Sequence, residues 1–217
     1  MRKIPTIFAR DRDENLIPHH LRVRCHGRYR WTHPHHSRSY GVVNAQGKDL
    51  PFNIFDPFAF STAVATEKLD GTNVRITVRS ATLVRLEKRR NPTKAQKKAG
   101  ITDHWYVDAI EDSAEDRWVW EAARNKTPRV PDGVWEAEAV GPKIQDNPLM
   151  LEEHLLYVFS HAMTRDHLEV NVGTSYAWLR DNLHEVRSVV NPEVFIEGVV
   201  WHWTDGRMAK IKTRDFK

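Results

Sequence analysis

Residues 63–79 read AVATEKLDGTNVRITVR, two stretches of strand character separated by Lys68-Leu69-Asp70-Gly71. In the second stretch Val74, Ile76 and Val78 alternate with polar residues. A period of two puts them on one face of a sheet and leaves the other face polar, which an α-helix cannot do. Segments 133–140, 154–161, 194–202 and 207–213 also read as strands. Two segments read as helices: 112–126, with Trp118, Trp120, Ala122 and Ala123 among charges, and 173–186, with Tyr176, Leu179 and Leu183 on one face. Many strands with few helices define an α+β domain, expected as antiparallel sheets flanked by helices packed outside.

Residues 1–60 read differently from 61–217. They are irregular, with short strand-like pieces at 21–24 and 40–43 and turn signals at 44–47 and Asp56-Pro57. Ten Lys/Arg against four Asp/Glu in residues 1–50 give a net charge of +6, within a chain whose total is +4. Arg22, Arg24, Arg28, Arg30 and Arg38 are interleaved with Tyr29, Trp31 and Tyr40. Cations supply phosphate affinity and aromatic rings supply stacking surface, so the arm suits a nucleic acid; it equally suits a solvated basic face. A second basic segment, 88–100, reads as a surface loop followed by a short helix. His33, His35 and His36 lack a cysteine or carboxylate pattern to complete a zinc site, so a solvated or nucleic-acid-contacting loop is expected there. The single cysteine, Cys25, excludes an internal disulfide and fits a reducing cytoplasm. No apolar run is long enough for a membrane helix, and the first residues turn polar too early for a signal peptide.

Lysine attacks phosphorus only as the neutral amine, a form that burial and neighbouring cations favour. Lys68 lies in a break between two strands, followed by Gly71, where a bulky group can approach the backbone. The same residues suit a hairpin turn with a solvated lysine, because Asp-Gly is a strong hairpin signal in its own right.

Lys68-Leu69-Asp70-Gly71-Thr72-Asn73 resembles the Lys-x-Asp-Gly motif of the covalent nucleotidyltransferase superfamily, which comprises polynucleotide ligases and RNA capping enzymes. Its Gly-Thr-Asn form is similar to that of RNA ligases of the phage T4 double-strand type. Further elements follow in the family's order. Arg89 sits where such ligases carry an arginine on the strand pair after the nucleophile. Glu138, before Val140-Gly141-Pro142, resembles the third motif, and Phe159 the aromatic that stacks on adenine. Glu197-Gly198-Val199-Val200 resembles the fourth motif, and Ala209-Lys210-Ile211-Lys212 the fifth. The start, Lys3 to Phe8, is more loosely similar to the small cellular 5′–3′ RNA ligases.

The resemblance implies an adenylyltransferase domain over residues 61–217. Lys68 would be the nucleophile, with Asp70, Lys210 and Lys212 assisting. Glu67, Gly71, Asn73, Arg89, Glu138, Phe159 and Glu197 would bind the nucleotide beside Lys68 and the two closing lysines. Glu197 and Asp70 would serve Mg²⁺ or Mn²⁺. Lys210 and Lys212 are two apart, so on a strand they share a face. The implied substrates are ATP and RNA with 5′-phosphate and 3′-hydroxyl ends; nothing calls for a membrane or an obligate protein partner. The chain stops five residues past Lys212, so no downstream OB domain is expected, which favours an RNA ligase over a DNA ligase or an RNA guanylyltransferase. A catalytically silent nucleic-acid binder is the alternative from another class.

Overall fold

The computed structural model describes residues 4, 6–7, 23–25, 28–30, 62–101, 103–125, 130–159, 166–204 and 208–216. In chain order the strands are β1 (Val23–Cys25), β2 (Arg28–Arg30), β3 (Ala63–Glu67), β4 (Thr72–Arg79), β5 (Thr82–Arg90), β6 (Trp105–Asp108), β7 (Gly133–Val140), β8 (Leu155–Val158), β9 (Gly198–Trp203) and β10 (Met208–Lys212). The helices are α1 (Lys94–Lys98), α2 (Arg117–Asn125) and α3 (Tyr176–Asn182). The fold is mixed α+β with antiparallel sheets. The chain divides into two units, one within residues 69–169 and 187–195, the other within 4–68, 170–186 and 196–217.

The first unit is built on a five-stranded antiparallel sheet of order β6-β5-β4-β7-β8. Alternation along β4 sends Val74, Ile76 and Val78 to one face, where they join Leu86, Ala137 and Leu156 under Val119, Ala122 and Ala123 of α2. The opposite face carries Asn73, Arg75, Glu87, Arg89, Tyr106 and Glu138, which lie opposite one another across the strands. The β4–β5 turn is made by Ser80 and Ala81, both left-handed at φ 49° and 56°. Such turns favour Asn-Gly; here the Asp132 carboxylate accepts both turn N–H groups, at 2.8 and 3.2 Å, and offsets the strain. Helix α1 starts with a capping box between Thr93 and Gln96.

The second unit contains a three-stranded antiparallel sheet of order β10-β9-β3. Ala63 and Ala65 of β3, Trp201 and Trp203 of β9, and Ala209 and Ile211 of β10 face Leu179 and Leu183. Ser175 caps α3 by accepting from the Trp178 N–H at 3.1 Å. Strands β1 and β2 form a separate two-stranded antiparallel pair.

Several boundaries differ from the expectations. The hairpin alternative at Lys68 is excluded: β3 pairs with β9, and β4 pairs with β5 and β7. Residues 68–71 therefore cross from one sheet to another. The helix expected over 112–126 begins at Arg117, because Asp116 accepts from the Ile110 N–H at 2.8 Å and holds the preceding residues in turns. The helix expected over 173–186 ends at Asn182 and continues as a 3-10 turn, Leu183–Glu185. The strand expected from 194 starts at Gly198, since Phe195 bridges to Arg187 instead. Strand β6 was not expected at all. Apart from β1 and β2, the basic arm 19–40, its histidines and the 40–43 piece lie outside the described residues. No described helix is long and apolar enough to cross a membrane.

Candidate functional site

The candidate residues fall into two groups, one in each unit. In the three-stranded sheet, the Lys68 N–H donates to the Gly198 carbonyl at 2.9 Å, and Lys212 lies opposite Gly198 on the other side. Lys68, Gly198 and Lys212 thus form a row at one end of the sheet. A Cβ on Gly198 would sit 2.1 Å from the Ile211 carbonyl oxygen, so only glycine allows β9 and β10 to close this row. Glu197, one residue before β9, receives both lysines: Lys68 Nζ donates to Oε2 and Lys212 Nζ to Oε1. The Lys68, Glu197 and Lys212 side chains are 19, 16 and 16 % exposed. Burial pushes the Glu197 carboxyl up, but the two lysines outweigh it and hold the group below the usual range.

Lys210 is half-buried on the same face as Lys212, opposite Val200 and Thr66. The Ile7 N–H donates to its carbonyl at 2.8 Å, pinning the outer edge of β10. Thr66 Oγ1 lies 3.0 Å from His202 Nε2 on that face. Glu67 is buried, in the row of Val199 and Ile211, and strand alternation directs it to the face opposite Lys68.

In the five-stranded sheet, Asn73 and Glu138 lie directly opposite on β4 and β7. The Asn73 amide donates to Glu138 Oε2 at 3.3 Å, and its carbonyl oxygen accepts from the Tyr106 hydroxyl at 2.9 Å. Burial, then the nearby Glu136 carboxylate, hold the Tyr106 phenol well above its ordinary value, so it acts as a donor. Arg75 stacks over the Tyr106 ring at 4.3 Å and makes a two-pronged contact with the buried Glu87, at 2.8 and 2.6 Å. Arg89 lies opposite Tyr106 on this polar face, whereas Arg90 pairs with Glu115 at 3.0 Å. This arrangement fixes one carboxylate, one carboxamide and one phenol on a shared face, a set that can bind hydroxyl groups.

Gly71 has a reason other than room for a ligand. A Cβ there would meet the Ala139 carbonyl oxygen at 2.2 Å, so the close approach is by β7. Asp70 is half-buried next to it, and Phe159 is half-buried one residue past β8. Tyr106 was missed by sequence reasoning because β6 was missed. The aromatic and β-branched run His104-Trp105-Tyr106-Val107 was the available signal.

Among the described residues, no three His, Cys, Asp or Glu side chains cluster as a metal site. Glu197 presents a hard oxygen donor whose two oxygens are each held by a lysine. A divalent ion would have to displace one of these ammonium groups to reach a Glu197 oxygen.

No protein-family model and no curated protein matches the sequence. The solved structures similar to the chain include several forms of an RNA ligase of Naegleria gruberi. A mutant with ATP and Mn gives a TM-score of 0.47 at 13 % identity, covering 100 % of this chain and 62 % of the ligase. The form with PPi gives 0.43 at 15 % identity, covering 86 % and 63 %. An apo mutant gives 0.45 at 15 % identity, covering 73 % of this chain and 52 %, about half, of the ligase.

Proposed function

We propose that the chain is an ATP-dependent RNA ligase that joins 5′-phosphate and 3′-hydroxyl ends through a lysyl-AMP on Lys68. The observation that carries this reading is the pairing of Lys68 and Lys212 with the two oxygens of Glu197. Lys68 and Glu197 are 129 residues apart in sequence, yet motif order alone marks both. A solvated turn lysine would have no reason to meet Glu197.

On this reading Lys68 Nζ, freed from Glu197 as the neutral amine, attacks the α-phosphorus of ATP. The N–P bond forms as the bond to the bridging oxygen breaks, and pyrophosphate leaves. A 5′-phosphate oxygen of RNA then displaces Nζ from that phosphorus, and a 3′-hydroxyl finally displaces AMP. Lys212 remains to bind phosphate oxygens, and Lys210 adds a second cation on its face; preorganised positive charge is what phosphoryl transfer requires most. A Mg²⁺ or Mn²⁺ ion held by Glu197 would neutralise phosphate charge. Glu138 and Asn73 suit ribose hydroxyls, and Phe159 suits the adenine ring.

The test is incubation with α-labelled ATP or GTP and Mg²⁺, followed by a denaturing gel. A labelled band with ATP that is absent in Lys68→Ala and Lys68→Arg is expected, because arginine does not deprotonate near neutral pH. An adduct surviving in Lys68→Ala would move the nucleophile elsewhere. Labelling by GTP alone would point to a guanylyltransferase.

A further inference from the structure

Near the end of β5 the five-stranded sheet has a cleft of about 360 Å³, lined by Lys88, Arg89, Arg90 and Lys143 with Glu115 and Trp118. Four cations against one carboxylate make the lining strongly positive. Lys88 is only 5 % exposed and is committed: it pairs with Asp116, and with Glu115 at 3.0 Å. Arg90 shares Glu115 with it. Among the described residues Arg89 and Lys143 have no carboxylate partner in an ion pair, so the cleft retains charge for a ligand. Trp118 is already stacked, with His154 at 5.1 Å and the Arg117 guanidinium at 4.0 Å. Its ring is therefore a wall rather than a platform for a base. The ligand chemistry is anionic and not aromatic.

The second wall is a strained loop. Gln145, which lines the cleft, and the following Asp146 and Asn147 have φ of 49°, 58° and 53°. Consecutive left-handed non-glycine residues cost free energy and persist only where their surroundings fix them. Here they are fixed. Asn147 bonds in both directions with Leu151 at 2.9 Å, and the Lys143 N–H donates to the buried His154 Nε2 at 3.2 Å. Gly141, which begins the loop, would place a Cβ 2.7 Å from His154 Cα. The loop is held in one shape, and that shape presents Lys143 to the cleft.

We infer that this cleft seats backbone phosphates of the RNA strand, with Lys143 as one contact, Arg90 as a second that exchanges Glu115, still held by Lys88, for a phosphate, and Arg89 shared with the polar face. The inference rests on the RNA-ligase reading for its choice of polymer. Lys143 and Arg90 are exposed at the surface, so Lys143→Ala with Arg90→Ala leaves the core untouched. Binding of a 5′-phosphorylated RNA oligonucleotide is followed by fluorescence anisotropy across a salt series, with protein–AMP formation measured in parallel. The double variant should keep the adduct, bind RNA more weakly, and show a log K against log salt slope shallower by about 1.4, roughly 0.7 for each single-strand phosphate that is no longer neutralised. An unchanged slope with the adduct intact overturns the cleft. A reduced slope with no adduct in any form overturns the ligase reading and leaves the cleft standing. Calorimetry with pyrophosphate alone separates the remaining source: pyrophosphate binding abolished in the variant while the RNA slope stays unchanged would assign the cleft to a free oligophosphate and overturn the proposal.

Discussion

Replacing Glu197 with Gln keeps the side chain's shape and removes the charge that two lysines share. The ammonium groups of Lys68 and Lys212, held on two oxygens of one carboxylate, lie roughly 6 Å apart. At an effective dielectric of ~20, two unit charges at that spacing repel by about 3 kcal/mol. All three side chains keep 16–19 % of their exposure, so rotation and solvent relieve part of this, and a loss of about 1–3 kcal/mol is expected at neutral pH. The folded protein holds the Glu197 carboxyl below its ordinary value. A group depressed in this way stabilises fully above its unfolded-state range, and its contribution disappears as pH falls through the folded-state value. Urea unfolding followed by tryptophan fluorescence should therefore show a wild-type advantage that is widest near neutrality and closes in acid. A variant as stable as wild type at neutral pH, or a gap of constant size down to strong acid, would refute the account of Glu197 as the anion binding two cations.

Two further substitutions probe the first unit. Tyr106→Phe removes the hydroxyl that donates to Asn73 at 2.9 Å; thermal melts should show a loss of about 1 kcal/mol, and, on the proposed ligase reading, adenylation assays should show a raised KM for ATP as Asn73 and Glu138 lose their alignment. An unaltered KM would remove the network from nucleotide binding. Gly71→Ala forces a methyl group to within 2.2 Å of the Ala139 carbonyl, and because the obstacle is backbone the expected cost is about 3 kcal/mol; a melting temperature equal to wild type would show that β4 and β7 can separate freely there.

Period-two patterning was legible wherever one face of a strand was fully apolar. Strand β7 occupies the expected 133–140, and Lys210 and Lys212 share a face because alternation is local. The Lys68–Glu197–Lys212 group was reachable only through motif order, since no local rule places residue 68 beside 197. Strand β6 escaped because it is four residues long and only its middle two, Tyr106 and Val107, are half-buried. Lys88 was misread for a related reason. A basic run normally signals surface, yet Lys88 is buried because Asp116, 28 positions later, neutralises it. Long-range pairing decides such positions, and sequence patterning does not record it.

The pairing of β3 with β9 also sets a timetable. Strands β4 and β5 are sequence neighbours, so that hairpin can form as soon as it has been synthesised. Lys68 reaches Glu197 only after 129 further residues exist, and closing a loop of that length costs about 4 kcal/mol of chain entropy. Contacts of such separation form slowly and late. A nascent chain that has not yet emerged through β9 holds the lysine without its carboxylate and without Lys212. The Lys68–Glu197–Lys212 group therefore dates from the emergence of β9 and β10, not from that of Lys68.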